Sequence, residues 1–421
     1  MSRAPWHDRR IAAIDPFEAT STEGGQPEVE PHQVQMTDAD IAAIWSSVED
    51  LYRTGLHPAI GLCIRKHGHV IIDRAIGHIR GNAPGEAPNA PRIQARPDSL
   101  FNIFSASKAV TAMLIHLLDE RGVVSVDDPV AKWIPEFARH GKDWITLRHV
   151  LCHRAGIPRI PRDRARLEML SDWEGIIELL CDSAPQHRIG RTLAYHALTG
   201  GWILGEVLQR ATGRDLREFI ATEVMSPLGI EHMNYGTTPE NLDRVAQHAL
   251  TGPPVLFPMT KILERALGVP FERAIEYSND PRFLTSVVPA GNIIGTPNEV
   301  SLFFEMLLRG GALGDVRVFS ERTIERATAE QTNREIDVTF GIPMRYSMGF
   351  VLGDRWVSIY GTDTAETFGH LGFTTITAYA DRARDISVCL ATSGKHFLTP
   401  RLWQHLQVLR AINNRCAKVP R

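Results

Sequence analysis

The chain has 421 residues, 43% of them hydrophobic and 23% charged, with a formal net charge of −3. That length exceeds one ordinary core and predicts two lobes, while the composition is that of a soluble globular protein and the near-neutral balance gives no reason to expect nucleic acid or a membrane surface as partner. The five cysteines, Cys63, Cys152, Cys181, Cys389 and Cys416, are odd in number and lack C-x-x-C spacing, which predicts reduced thiols and disfavours a disulfide framework or a metal site.

Residues 1–36 are polar, rich in Pro, Gly and Glu and without periodicity, and are expected to form an arm. The start, MSRAPWHDRRIAAIDPFEA, has no apolar core of signal-peptide length, and no stretch reaches the ~18 apolar residues of a membrane span. The expectation is a cytoplasmic protein. Thr37 and Asp40 resemble a capping box ahead of a helix whose stripe is Ile41, Ile44, Trp45, Val48 and Leu51. Two β-rich runs in AIGLCIRKHGHVIIDRAI surround His67-Gly68 and predict a hairpin. A long helix is then expected up to a stop at Gly122, followed by a turn and short helix in VVSVDDPVAKWIPEF.

Helical periodicity dominates from Thr146 to Met225. The Pro-interrupted segment 251–280 is equally compatible with lining a substrate cleft and with a helical elaboration that has no role in binding. After Phe283 a helix is expected over Pro297 to Arg309, then strands in SMGFVLG, RWVSIYG, TTITAYA and DISVCLAT, and a last helix from Pro400 to Ile412. Strands at both chain ends with helices between them predict a discontinuous α/β domain, residues 37–100 with 283–415, interrupted by a mostly helical domain, 101–282.

The chemistry concentrates at NIFSASKAVTAMLIHLLDERG, residues 102–122. Ser105 and Lys108 stand three apart, which on a helix puts their Cβ atoms roughly 5–6 Å apart on one face. Their neighbours Phe101, Ile103, Phe104, Ala106, Ala109 and Val110 are apolar or small, a setting that disfavours the charged amine and makes it a proton acceptor. The Ser105 amide would join the unpaired N–H groups of a helix's first turn, where developing negative charge is stabilised. A surface helix carrying an unremarkable Ser and Lys is the plain alternative. His149 and His153 are spaced like a zinc-binding pair, but HVLCH lacks the glutamate of H-E-x-x-H and no metal is expected. No G-x-S-x-G is present.

Further matches follow in order: GVVSVDDPV at 122–130, VLCHRAGIP at 150–158, Tyr195-His196-Ala197 within LAYHALTGGWILGEVLQRATG, PLGI at 227–230, PAGNIIGTPNEV at 289–300, and His370-Leu371-Gly372 within FGHLGFTT. Taken with S-x-x-K at Ser105, this series resembles the penicillin-recognising serine hydrolases, in the branch of class C β-lactamases and family VIII carboxylesterases. The resemblance spans about residues 40–410. It implies an antiparallel β-sheet flanked by helices, with an inserted helical lobe.

It also implies a mechanism. Ser105 is the nucleophile, Lys108 and Tyr195 share the proton transfers, and the amides of Ser105 and Phe373, beside Gly372, hold the oxyanion. No cofactor is implied. Besides Arg154 and Ala155 in VLCHRAGIP, two positions that bear on substrate depart from the lactamase pattern. His370 replaces a lysine that holds a substrate carboxylate, and Ala197 replaces an asparagine that binds the acylamide. The expectation is therefore hydrolysis of short-chain or small aromatic carboxylic esters, with an acyltransferase, a β-lactamase and a non-catalytic binding module as the alternatives. The partner expected is a small-molecule ester; the oligomeric state is open, a homodimer being one arrangement.

Overall fold

The computed structural model describes residues 8–11, 19–87, 89–160, 166–257, 259–397 and 402–420. Parts of the expected arm (1–7 and 12–18) and the expected start of the last helix at Pro400 lie outside them.

A single antiparallel sheet organises the chain. The strands along its path are β1 (Thr20–Ser21), β2 (Ala59–Lys66), β3 (His69–Arg80), β4 (Val351–Leu352), β5 (Thr367–Gly372), β6 (Ile376–Asp381) and β7 (Ile386–Thr392), and Ile93–Gln94 pairs onto β3 off that path. They lie in the order β1-β3-β2-β7-β6-β5-β4, so the N- and C-terminal parts of the sequence meet where β2 pairs with β7. The hairpin expected at His67-Gly68 joins β2 to β3, with both turn residues at positive φ, 51° and 85°.

Period-two alternation gives the sheet two apolar faces. Ile60, Leu62, Ile64, Val388 and Leu390 face one core, shared with α1 (Asp38–Arg53) through Ile44, Val48 and Leu51 and with the C-terminal helix (Leu402–Arg415) through Val408, Leu409 and Ile412. Thr37 and Asp40 form the expected capping box at the start of α1. Ala378, Ala380, Cys389 and Ala391 face the other core, against Val300, Phe303, Phe304 and Leu307 of the helix Pro297–Leu308. That second core continues into the helical region of the middle of the chain, through α2 (Ser107–Glu120) and α3 (Thr199–Thr212). The result is a mixed α/β protein built as an antiparallel sheet flanked by helices.

Three local expectations differ from what is observed. RWVSIYG is a loop: Trp356 and Val357 are 67% and 72% exposed, and the backbone closes on itself through Ser358 N to Gly361 O at 2.8 Å. The strand of this region is instead TFGHLG, whose glycines depress strand propensity but let the neighbouring strand approach, since a Cβ on Gly369 would lie 2.2 Å from the Ala378 carbonyl oxygen. The described parts of the arm are laid against the body. β1 pairs with the exposed edge of β3, Arg9 bridges to Gly252, and Val34 and Met36 are buried. An open sheet edge carries unpaired backbone groups, and the arm satisfies part of them.

Leu390→Ala in β7 is expected to cost about 2–5 kcal/mol in denaturant unfolding, whereas Trp356→Ser in the neighbouring loop should stay within about 0.5 kcal/mol. Equal losses would put the Trp356 side chain in the core.

Candidate active site

Three separate stretches converge on the Ser105 helix. Ser105 itself sits in a single 3₁₀ turn, Phe104–Ala106, that leads into α2, and not in the α-helix proper. The turn starts under strain, with Phe104 at φ 46°. It is held by the Asn102 side chain, which accepts from the Phe104 amide at 2.8 Å, and by its ring, packed against Phe373 and His248 at 5.1 and 4.7 Å between centroids.

Lys108 Nζ donates to Ser105 Oγ at 3.2 Å, to the Ala197 carbonyl at 2.7 Å and to the Ala290 carbonyl at 3.0 Å. All its partners are neutral, and burial brings the amine down to about 7. Ala290 was not among the expected site residues. Its carbonyl is presented by PAGN, the motif quoted above: the Asn292 side chain accepts from Val288 N at 2.8 Å and donates to the Phe283 and Ser286 carbonyls, while Thr111 Oγ1 donates to the Pro289 carbonyl at 2.6 Å. The start of α3 packs so closely on this turn that a Cβ on Gly201 would lie 2.5 Å from Ala290 N.

Tyr195 is buried, hydrogen-bonded through its hydroxyl to Ser105, and its ring lies 4.9 Å from Lys108 Nζ. Burial pushes the phenol up, the Ser105 hydrogen bond pulls it back in part, and the nearby Asp337 carboxylate pushes it up again. His153 packs on this ring at 4.7 Å and accepts from His196 N at 3.2 Å. It belongs to the quoted VLCHRAGIP stretch, yet only the fold shows that it backs Tyr195. His149, its partner in the zinc-like spacing, instead serves the helix start at Thr146, whose amide donates to His149 Nδ1 at 3.1 Å.

His370 lies on β5, 6.1 Å between centroids from Tyr195. Burial holds it down at about 3, helped by the Lys108 charge. Its Nδ1 contacts the Leu371 carbonyl at 2.7 Å, and since a carbonyl only accepts, Nδ1 carries the proton. Gly372 permits the close approach on which the turn after β5 depends, because a Cβ there would lie 2.3 Å from the Ile103 carbonyl oxygen. Phe373 thereby follows directly beside the Ser105 turn, its ring between Phe104 and Phe271.

A cavity of about 170 Å³ opens from Ser105. Its walls include Leu167, Leu170, Ala197, Trp202, Phe283 and Phe373, and Leu267, Val269 and Tyr277 from the segment 251–280, which thus lines the cleft as helices Met259–Leu267 and Phe271–Ser278. Arg159 and Arg166 also border it. A hydroxyl joined to a neutralisable amine and a phenol, next to an apolar cavity, is equipped for nucleophilic acyl transfer.

Comparison with known proteins agrees. Residues 16–409 match the family described as Beta-lactamase. The esterase/beta-lactamase LipL of Mycobacterium tuberculosis is 27% identical over 277 residues, 63% of this chain and 64% of LipL, so the match spans just under two thirds of that relative. Among solved structures, a family VIII carboxylesterase superposes with a TM-score of 0.76 at 25% identity, covering 93% of this chain and 99% of that one. A penicillin-binding protein homologue from Caulobacter crescentus gives 0.73 at 26% identity, covering 88% and 97%.

Only the unprotonated amine of Lys108 can take a proton from Ser105, so acylation is expected to rise with pH through about 7 and then level off. His370, at about 3, cannot supply that limb. Stability moves in the same sense: between about 7 and 10.5 the unfolded lysine holds a proton the folded one has released, so unfolding becomes harder as pH rises across that window. A pH–rate profile of kcat/KM with its acid limb in the carboxylate range would remove Lys108 from this role.

Proposed function

The chain belongs to the beta-lactamase family, and within it we propose a serine hydrolase that cleaves carboxylic esters of short-chain or small aromatic acids through an acyl-enzyme on Ser105. The observation that carries this reading is the state of His370. It is uncharged near neutral pH and its Nδ1 proton is committed to Leu371, so the position offers no cation for a substrate carboxylate. Ala197 adds to this: its side chain has no polar atom for an acylamide, and its carbonyl is occupied by Lys108. An ester needs neither contact, and the apolar cavity beside Ser105 suits its acyl group.

The steps follow from the geometry. Neutral Lys108 takes the Ser105 proton as Oγ attacks the ester carbonyl carbon. The oxyanion that forms is held by the amides of Ser105 and Phe373. The Tyr195 phenol, kept protonated by burial, passes its proton to the departing alkoxide and is reprotonated from Lys108. The C–O bond breaks, the alcohol leaves, and the acyl group remains on Ser105. Water then attacks the acyl carbon by the reverse proton route, releasing the acid and free Ser105. The five cysteines are free and buried, which fits a reducing compartment and supports a cytoplasmic setting; among the described residues no helix is long and apolar enough to cross a membrane.

Ser105→Ala should lose at least about a thousandfold in p-nitrophenyl ester hydrolysis while keeping its fold, a loss on the scale of removing a nucleophile. In the wild type, rates across acetyl, butyryl, hexanoyl and dodecanoyl esters should peak at a short acyl group and exceed the rate on a chromogenic cephalosporin. Cephalosporin turnover equal to that of the best ester would overturn the substrate class.

A further inference from the structure

One buried charge near the site has no part in the chemistry described so far. Asp337 is fully buried on the hairpin formed by Glu335–Asp337 and Ile342–Met344, a segment in which the motifs place nothing. Its Oδ1 accepts from the Tyr195 amide at 3.2 Å and from the Thr339 amide at 2.8 Å, and its Oδ2 accepts from the Tyr346 hydroxyl at 3.1 Å. The hairpin grips the same short stretch twice more: Val338 N donates to the Leu193 carbonyl at 3.0 Å and Thr339 Oγ1 to the Tyr195 carbonyl at 3.4 Å. Phe340, further along the same hairpin, lies 5.1 Å between centroids from the Tyr195 ring.

A carboxylate taken out of water without a cationic partner costs several kcal/mol as an order of magnitude, unless hydrogen bonds compensate it. Among the described residues, the groups that face it are Tyr195, Tyr346 and the more distant His187; none of these is a lysine or arginine. Such a residue is costly as plain core. What its bonds achieve is specific: they pin the backbone of the one residue whose phenol must stay on Ser105, in a segment, Leu193 to Leu198, that has no helix or strand of its own to hold it.

We propose that Asp337 is a positioning residue, which fixes the Tyr195 backbone so that the phenol remains within reach of Ser105 and the departing oxygen. The inference rests on the assignment of Tyr195 as the proton carrier. Because displacements of about 1 Å cost on the order of a hundredfold in rate, the effect falls on kcat and leaves substrate binding in the apolar cavity intact.

The test is a mutant cycle on ester hydrolysis. Asp337→Ala is expected to lower kcat about 30- to 100-fold with KM changed less than about threefold, the range that follows from loss of position at the reacting atoms. Asp337→Asn keeps an acceptor for both amides and should recover kcat to within about fivefold of the wild type. In a Tyr195→Phe background, where there is no phenol left to position, Asp337→Ala should cost less than about twofold. Wild-type kcat in Asp337→Ala, or an equal further loss in the Tyr195→Phe background, overturns the proposal. If Asp337→Ala does not fold, Asp337→Ser takes its place with the same outcomes, its hydroxyl being too short to serve both amides. A Tyr195→Phe enzyme as fast as the wild type would sink the role of Tyr195, and the positioning of it, together.

Discussion

The site depends on keeping one amine dry. Lys108 is the residue through which three distant parts of the chain meet: its ammonium is held by Ser105 one helical turn earlier, by the Ala197 carbonyl on one side and by the Ala290 carbonyl on the other. Carbonyl dipoles satisfy its N–H groups without offering a full opposite charge. A carboxylate in either place would restore the ordinary basicity of the lysine. The core around α2 supplies the dryness, since every residue of that helix from Ser107 to Leu118 is buried.

Strain and close approach give the site its second half. The positive φ of Phe104 lifts the nucleophile out of the regular helix, and the side chains of Asn102, Phe373 and His248 hold it there. Gly372 lets β5 touch the backbone of Ile103, and the Phe373 ring that follows packs on Phe104 of the Ser105 turn. These are demands on the backbone, and the side chains of His370 and Ala197 take no part in them. Asp337 extends the pattern, as a buried charge that holds a backbone and touches no substrate.

Much of the fold was legible because its signals are local. The capping box at Thr37, the hairpin at His67-Gly68 and the helix starting at Pro297 follow from neighbouring residues and appear where expected. The misses share a cause. RWVSIYG alternates like a strand but its backbone closes on itself between Ser358 and Gly361, and TFGHLG looks too glycine-rich for a strand until the crowding of β6 against it is known. The arm, polar in sequence, is ordered in its described parts by the sheet edge it covers and not by its own periodicity.

Sequence by itself determined the chemical inventory: a serine and a lysine one turn apart in apolar surroundings, a tyrosine, and a histidine-glycine pair, in an order that resembles a family of serine hydrolases. Tertiary structure decided the surroundings of each group. The depressed basicity of Lys108, the neutrality of His370, and the importance of Ala290, His153 and Asp337 arise from burial and from backbone atoms brought together across separations of up to 182 residues. The dry setting of Lys108 was legible in its apolar neighbours, but the carbonyl contacts and the desolvation of His370 belong to the packed whole and leave no mark on any single stretch of chain.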